Sequence, residues 1–420
     1  MSSRMLTAAL GALSLTLSLS ALAKDPGEED GAPMKAELSP VELTGRYDNA
    51  LRRAETIEEY RNLPYEKQAY WGYEQLGLQP ECIHEIRKGL DLVYNREYAA
   101  ARDHFETIDQ RWPEATIGAA VQTVIWQALM LENFDFRYDE QYWMASELAR
   151  EDLNAALERP GYEGWEHFLL AGISGIEAIH TIRQERYLPA LNLAFEAMDH
   201  AQKSREHAPE FVDLQLADGM YNYWRTVVTE SSKMLPDFGD HRAEGIEQMK
   251  YVESHGIFMG APTTLALTFT WMQERDLKRA STMASRNARQ YPDSVINNLL
   301  LGQIQTYTNR YDNAHQTWDR VLAAAPDNNR VHYWRAVTLL REKKPAEAEA
   351  SARRYLSSDH LESWQKSHAQ WRLGQALFRQ RKYPEAYASY KEAVKIDGHK
   401  GAKAAMDRMK QARKEGRIQF

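Results

Sequence analysis

The chain has 420 residues, a formal net charge of −8, 27% charged and 10% aromatic residues, and a single cysteine. Eleven Trp and 22 Tyr can furnish a packed interior and exclude global disorder, while the acidic balance disfavours a nucleic-acid binder, which shows a clustered basic footprint. The lone Cys82 excludes an internal disulfide and any Cys-x-x-Cys zinc or redox site, and the length favours two or three domains or an elongated repeat array over one core.

Residues 1–23 differ from everything after them. Arg4 gives a short positive start, an apolar run dotted with Ser and Thr follows, and Ala21-Leu22-Ala23 fits a small-x-small cleavage site. This predicts a cleavable signal peptide and export to a bacterial envelope, whether periplasm or exterior; an uncleaved anchor is the alternative. No Cys follows the run, which argues against a lipoprotein, and cleavage takes the charge from −8 to −9. No later segment is long and apolar enough to span a membrane. Residues 24–45 are rich in Pro, Gly and Glu and read as an acidic disordered leader, and 46–81 as an N-terminal helical cap.

From residue 82 the pattern is helical, without strand signals, and about eight helix pairs are expected. Over 82–258 the pairs are divergent. The first, "RKGLDLVYNREYAAARDHFETIDQRWP", places Gly89, Ala101, Phe105 and Pro113 at offsets that recur downstream. The next two pairs join "TIGAAVQTVIWQALMLE" to "YWMASELAREDLNAALERP", then "WEHFLLAGISGIEAIHTIRQ" to a long helix ending near Glu210. Asp135, Asp139 and Glu140 precede a helix start, where carboxylates suit the N-terminal dipole better than a metal. A fourth pair holds "ADGMYNYWRTVVTESSKMLPDFGDH" at 217–241. Leu214, Ala217, Tyr221, Trp224 and Val228 recur at helical steps and predict one buried stripe. Pro236 and Gly239 then break the helix, and Asp240 is expected to cap the next one. Gly219 to Gly245 spans 26 residues where other pairs span 12, so an insertion lies near 225–242.

Residues 259–398 repeat in one register. Thr268, Gly302, Ala336 and Gly374 step by 34, 34 and 38 residues, and Ala280, Ala314, Ala348 and Ala386 by the same amounts. Ala284, Trp318, Ala352 and Tyr390 follow four positions later, and Pro292 and Pro326 are again 34 apart. Small residues allow helices to approach, the residue four positions on fills the space toward the next unit, and Pro stops the second helix. Residues 399–420 carry seven Lys or Arg against Asp407 and Glu415, a net +5, and read as a capping helix; contact with an anionic surface is the alternative.

This pattern resembles the tetratricopeptide repeat family, most closely in "LLLGQIQTYTNRYDNAHQTWDRVLAAAPDN" and "RLGQALFRQRKYPEAYASYKEAVKIDG". The resemblance implies an all-α, right-handed solenoid of helix pairs. It also implies a non-catalytic scaffold or adaptor that binds a protein or peptide in a concave groove lined by the first helix of each pair. Position by position, that face comprises Gln303, Tyr307, Arg330, Tyr333, Arg341, His368, Trp371, Gln375 and Arg379, preceded by Phe269, Met272 and Gln273. Its arginines suit an acidic group or a terminal carboxylate. A cell-wall or polysaccharide ligand stacking on Tyr307, Tyr333 and Trp371 is the alternative. Thirteen scattered His and the absence of nucleophile-elbow, phosphate-loop and zinc-helix motifs predict no catalytic residue, metal or cofactor. An enzyme would require Asp218, Asp237 or His241 to converge in a pocket.

Overall fold

The computed structural model describes residues 73–231 and 239–419, with the side chains of Tyr187 and residues 228–231 excepted. The expected signal peptide, the leader, most of the cap, Val228 in the buried stripe, and Asp237 lie outside what is described. Seventeen α-helices and two short 3-10 turns form the described chain, with no strand among its residues. Seven close pairs account for most of them. These are α1 (Pro80–Tyr94) with α2 (Tyr98–Arg111), α5 (Glu163–Arg183) with α6 (Tyr187–His207), and α7 (Gln215–Ser231) with α8 (Arg242–His255). They continue as α9 (Gly260–Gln273) with α10 (Leu277–Gln290), α11 (Val295–Tyr307) with α12 (Tyr311–Ala324), α13 (Arg330–Arg341) with α14 (Pro345–Leu356), and α15 (Ser363–Arg379) with α16 (Tyr383–Asp397). Helix α17 (Lys400–Lys414) packs on the last pair.

The helices α3 (Gly118–Asn133) and α4 (Asp139–Ala156) were expected as a pair and are not a close one. They meet instead through Ala120, Ala149 and Leu153 around Leu170 and Ile173 of α5. The helices form two units, one of residues 73–127 and 138–291, the other of 128–137 and 292–419.

Within the close pairs the repeat positions interlock. A Cβ on Gly89 would lie 2.5 Å from the Phe105 ring, and one on Gly374 would lie 2.6 Å from Tyr390. Gly302 meets the six-membered ring of Trp318 in the same way. Ala101, Ala280, Ala314, Ala348 and Ala386 are all fully buried at the facing position. A feature the sequence did not announce is the turn between helices. Arg96, Glu185, Arg275, Asn309, Lys343 and Arg381 all adopt left-handed φ between 58° and 69°. Each closes the first helix of its pair, and in five of the six turns the next residue donates back across the turn, as in Lys344 N–Leu339 O at 2.8 Å. Glycine is the usual occupant of such a site, so charged side chains hide it from sequence inspection.

The same register identifies α5 and α6 as a regular repeat with lengthened helices. Ala178, Ala190 and Ala194 stand at the repeat spacing and are buried. Pro209 then ends α6 after seven more residues than usual, two extra turns.

The 217–241 segment follows its expected outline with a shifted face. Gly219 and Gly245 form the crossing of α7 with α8: a Cβ on Gly245 would lie 2.6 Å from both Gly219 O and Tyr223 N. That contact rotates the buried stripe to Gly219, Tyr223, Trp224 and Val227, leaving Ala217 and Tyr221 half-buried. Asp240 is not the cap of α8; His241 occupies that position, and Asp240 holds the Arg242 guanidinium at 2.6 Å and accepts from Arg242 N. Asp218 pairs with Arg205 at 2.7 Å, and His241 with Glu244 at 2.8 Å. Asp218 and His241, two of the residues an enzyme would need to bring together, therefore belong to separate local ion pairs.

Candidate functional site

A first helix lining an open groove keeps one face in water. Here α11 buries eleven of its thirteen residues and α13 nine of its twelve, whereas α12 buries only four of fourteen. Gln303, Arg330, Tyr333 and Trp371, expected on the groove wall, are consequently interior side chains. Tyr307, Arg341, His368 and Gln375 are half-buried, and Arg379 is exposed.

Part of that cover is the chain's own segment 131–135, within the second unit. The last carbonyls of α3, orphaned at its C-terminus, are taken up by side chains at the starts of α13 and α15. Arg330 donates to Leu131 O at 3.2 Å, Asn328 Nδ2 to Glu132 O at 3.0 Å, and Gln365 Nε2 to Phe134 O at 3.2 Å. Phe134, itself left-handed, sets its ring edge-on to Trp364 at 5.7 Å and beneath the Arg330 guanidinium at 4.9 Å. Burial pulls the Arg330 pKa down to about 10. Asp135 does not cap α4; it is buried and holds Arg137 at 2.6 Å.

At the C-terminal ends of the inner helices of this unit a row of side chains stays half-buried or exposed. Tyr307, Arg341 and Arg379 step by 34 and 38 residues, so they occupy one repeat position. The Arg341 guanidinium lies 5.6 Å from the Tyr307 ring centre, and Arg379 donates to Leu340 O. Two buried donors beside the row, Gln303 Nε2 and Arg341 Nε, have no protein acceptor among the described residues. His368 lies further from it, and Gln375 stands one turn before Arg379. The His368 ring is 4.5 Å from His399, and Gln375 accepts from Arg372 at 3.0 Å.

In the first unit the notable chemistry is buried and paired. Glu177 on α5 receives Ser146 and Arg150 of α4, and Arg150 continues to Glu196 of α6 at 2.5 Å. His180 bridges Asp139 at 2.5 Å and Gln127 at 3.1 Å beneath Tyr142, and burial holds its pKa low. His200 meets His167 rather than His180 or His207, with their Nδ1 atoms 3.0 Å apart. Cys82 is buried, its thiol pushed up to about 12 by burial, as suits a packing residue. Among the described residues no group of three or more His, Cys, Asp or Glu could hold a metal, and no helix is long and apolar enough to cross a membrane.

Glu166 at the start of α5 is fully buried with no hydrogen bond to either oxygen, and Arg159 is 3.7 Å away. Burial raises its pKa from the ordinary 4.5 to about 7. The folded state therefore holds a proton that the unfolded state releases, and stability falls as pH rises through that window. Glu166→Gln removes the titration. It is expected to be more stable than wild type at pH 8 by up to about 3 kcal/mol, and near-equal at pH 5. Urea unfolding at the two pH values checks this; an equal effect at both would contradict it.

Comparison with known proteins places the repeats. Residues 276–360 and residues 367–400 each match a model described as tetratricopeptide repeat. No curated protein is significantly similar to the chain. Among solved structures, the TPR domain of P58(IPK) aligns at 12% identity, covering 81% of this chain and all of that one, with a TM-score of 0.23. So low a score supports no structural argument, and the assignment stands on the repeat matches and the register. Repeats of this kind point to a protein-interaction scaffold, and residues 276–360 and 367–400 of the chain are tetratricopeptide repeats by these matches.

Proposed function

We propose that the chain is an exported scaffold of a bacterial envelope that takes an extended protein or peptide segment along Tyr307, Arg341 and Arg379. The observation that carries this reading is the recurrence of half-buried or exposed side chains at one repeat position, beside two buried donors with no acceptor among the described residues. Export is supported by the apolar run ending in Ala21-Leu22-Ala23. Two guanidiniums at one repeat position, that of Arg341 over the Tyr307 ring, suit a segment bearing an acidic side chain or a terminal carboxylate. The glycan alternative has less to stand on, because Tyr333 and Trp371 are interior and leave Tyr307 as its platform. The reading assigns no catalytic residue. Photo-crosslinkers placed at 341 and 379 in living cells test it, since a groove ligand must be reached from both.

A further inference from the structure

Helix α4 carries apolar side chains on two faces: Tyr142, Ala149, Leu153 and Ala156 are buried, and a second apolar line faces solvent. Beside that buried face Ser146 and Arg150 make polar contacts with Glu177, and the opposite, outward crest again carries apolar side chains. Met144 is 66% exposed and Leu148 is 52% exposed, two of the four large hydrophobic residues left exposed among those described. Leu148 follows Met144 by one turn, and exposed Ala155 continues the same line two turns on. Glu140, Glu147 and Glu151 run along one side of that line and Gln141 and Asp152 along the other, all exposed. The one basic residue of α4, Arg150, is engaged by Glu177 and Glu196, so the crest meets solvent with acidic borders and no cation.

We propose that this crest is a second docking surface, and that its occupant is an amphipathic helix of a partner protein. That helix would carry apolar residues one turn apart, bordered by Lys or Arg. An apolar seam between charged columns is the pattern by which paired helices choose partner and orientation, and the acidic columns here select basic flanks. A second copy of the chain does not supply such a helix from its basic end: the outward face of α17 shows Lys400, Lys403, Lys410 and Lys414 around Gln411, with its apolar residues turned inward. The surface lies in the first unit, on a helix outside the matched repeats, and is independent of the Arg341 and Arg379 row.

The test uses the full chain and a fluorescein-labelled synthetic helix of about 20 residues, with Leu at the a and d positions and Lys at e and g. A matched peptide with Glu at e and g is the control. Anisotropy is expected to show saturable binding of the lysine peptide alone, weakened about tenfold by Met144→Ser with Leu148→Ser. Glu147→Lys with Glu151→Lys should reverse the preference toward the glutamate peptide. Arg341→Ala with Arg379→Ala should leave binding unchanged, which separates this surface from the groove. Binding that ignores the α4 substitutions, equal binding of both peptides, or none up to the solubility limit would overturn the proposal. Because all four α4 positions are exposed, unchanged thermal unfolding is expected to confirm that the variants remain folded.

Discussion

Asp213→Ala is expected to cost about 3–5 kcal/mol, a large loss for a residue outside any α-helix. Asp213 sits in the 3-10 turn Val212–Leu214 and is buried. Its carboxylate accepts from three successive backbone amides across the chain: Ile257 at 2.7 Å, Phe258 at 2.8 Å and Met259 at 2.5 Å. Those residues link α8 to α9, and the Phe258 ring packs against Trp165 at 5.2 Å and Phe211 at 6.2 Å. Alanine leaves three amides without their acceptor and releases the aromatic cluster they position. An asparagine side chain could still accept through its one carbonyl oxygen, so Asp213→Asn is expected to recover part of the loss. Urea unfolding with hydrogen exchange over 257–259 measures both effects. A loss below about 1 kcal/mol for the alanine variant would show that the three bonds contribute little net stability.

Trp318→Ala carries the second large effect, about 3–5 kcal/mol. The indole is fully buried between α11 and α13, with Nε1 donating to Thr338 Oγ1 at 3.1 Å. Its ring rests where Gly302 leaves room, and its neighbours include Val295, Leu299 and Trp334. In a helix-pair array each unit leans on its neighbours, so the damage should appear as faster amide exchange in α11 to α14 rather than uniformly. Gly302→Ala offers an internal check. Alone it collides with the indole; combined with Trp318→Ala its methyl enters vacated space. The double variant is therefore expected to be more stable than the sum of the singles, and strict additivity would contradict the contact.

Sequence patterning disclosed the parts of this fold that local chemistry determines. The register through Gly302, Ala314 and Trp318 was visible because helix crossing demands a small residue at a fixed distance from a large one. Ala178, Ala190 and Ala194 obey the same rule but escaped notice, because the two extra turns of α6 move Pro209 out of step. The left-handed turn residues were hidden because Arg, Glu and Lys occupy them. In the 217–241 segment a stripe through Tyr221 fitted the periodicity as well as one through Tyr223. Only the tertiary crossing of Gly219 on Gly245 chooses between them. The candidate site was least legible. Repeat position placed Tyr307, Arg341 and Arg379 in one row, yet it could not show that Leu131, Glu132 and Phe134 reach Asn328, Arg330 and Gln365 from about 200 residues away. Long-range contacts of that kind leave no periodic trace.

The central claim, that an extended partner segment lies along the C-terminal ends of α11, α13 and α15, is tested most directly by in-cell photo-crosslinking. Probes at positions 341 and 379 are compared with a probe at the exposed Lys395 on α16, and captured proteins are identified by mass spectrometry. The same discrete protein is expected from 341 and 379 and not from 395, with capture reduced by Tyr307→Ala. Capture from 341 and 379 no greater than from 395 would contradict the claim.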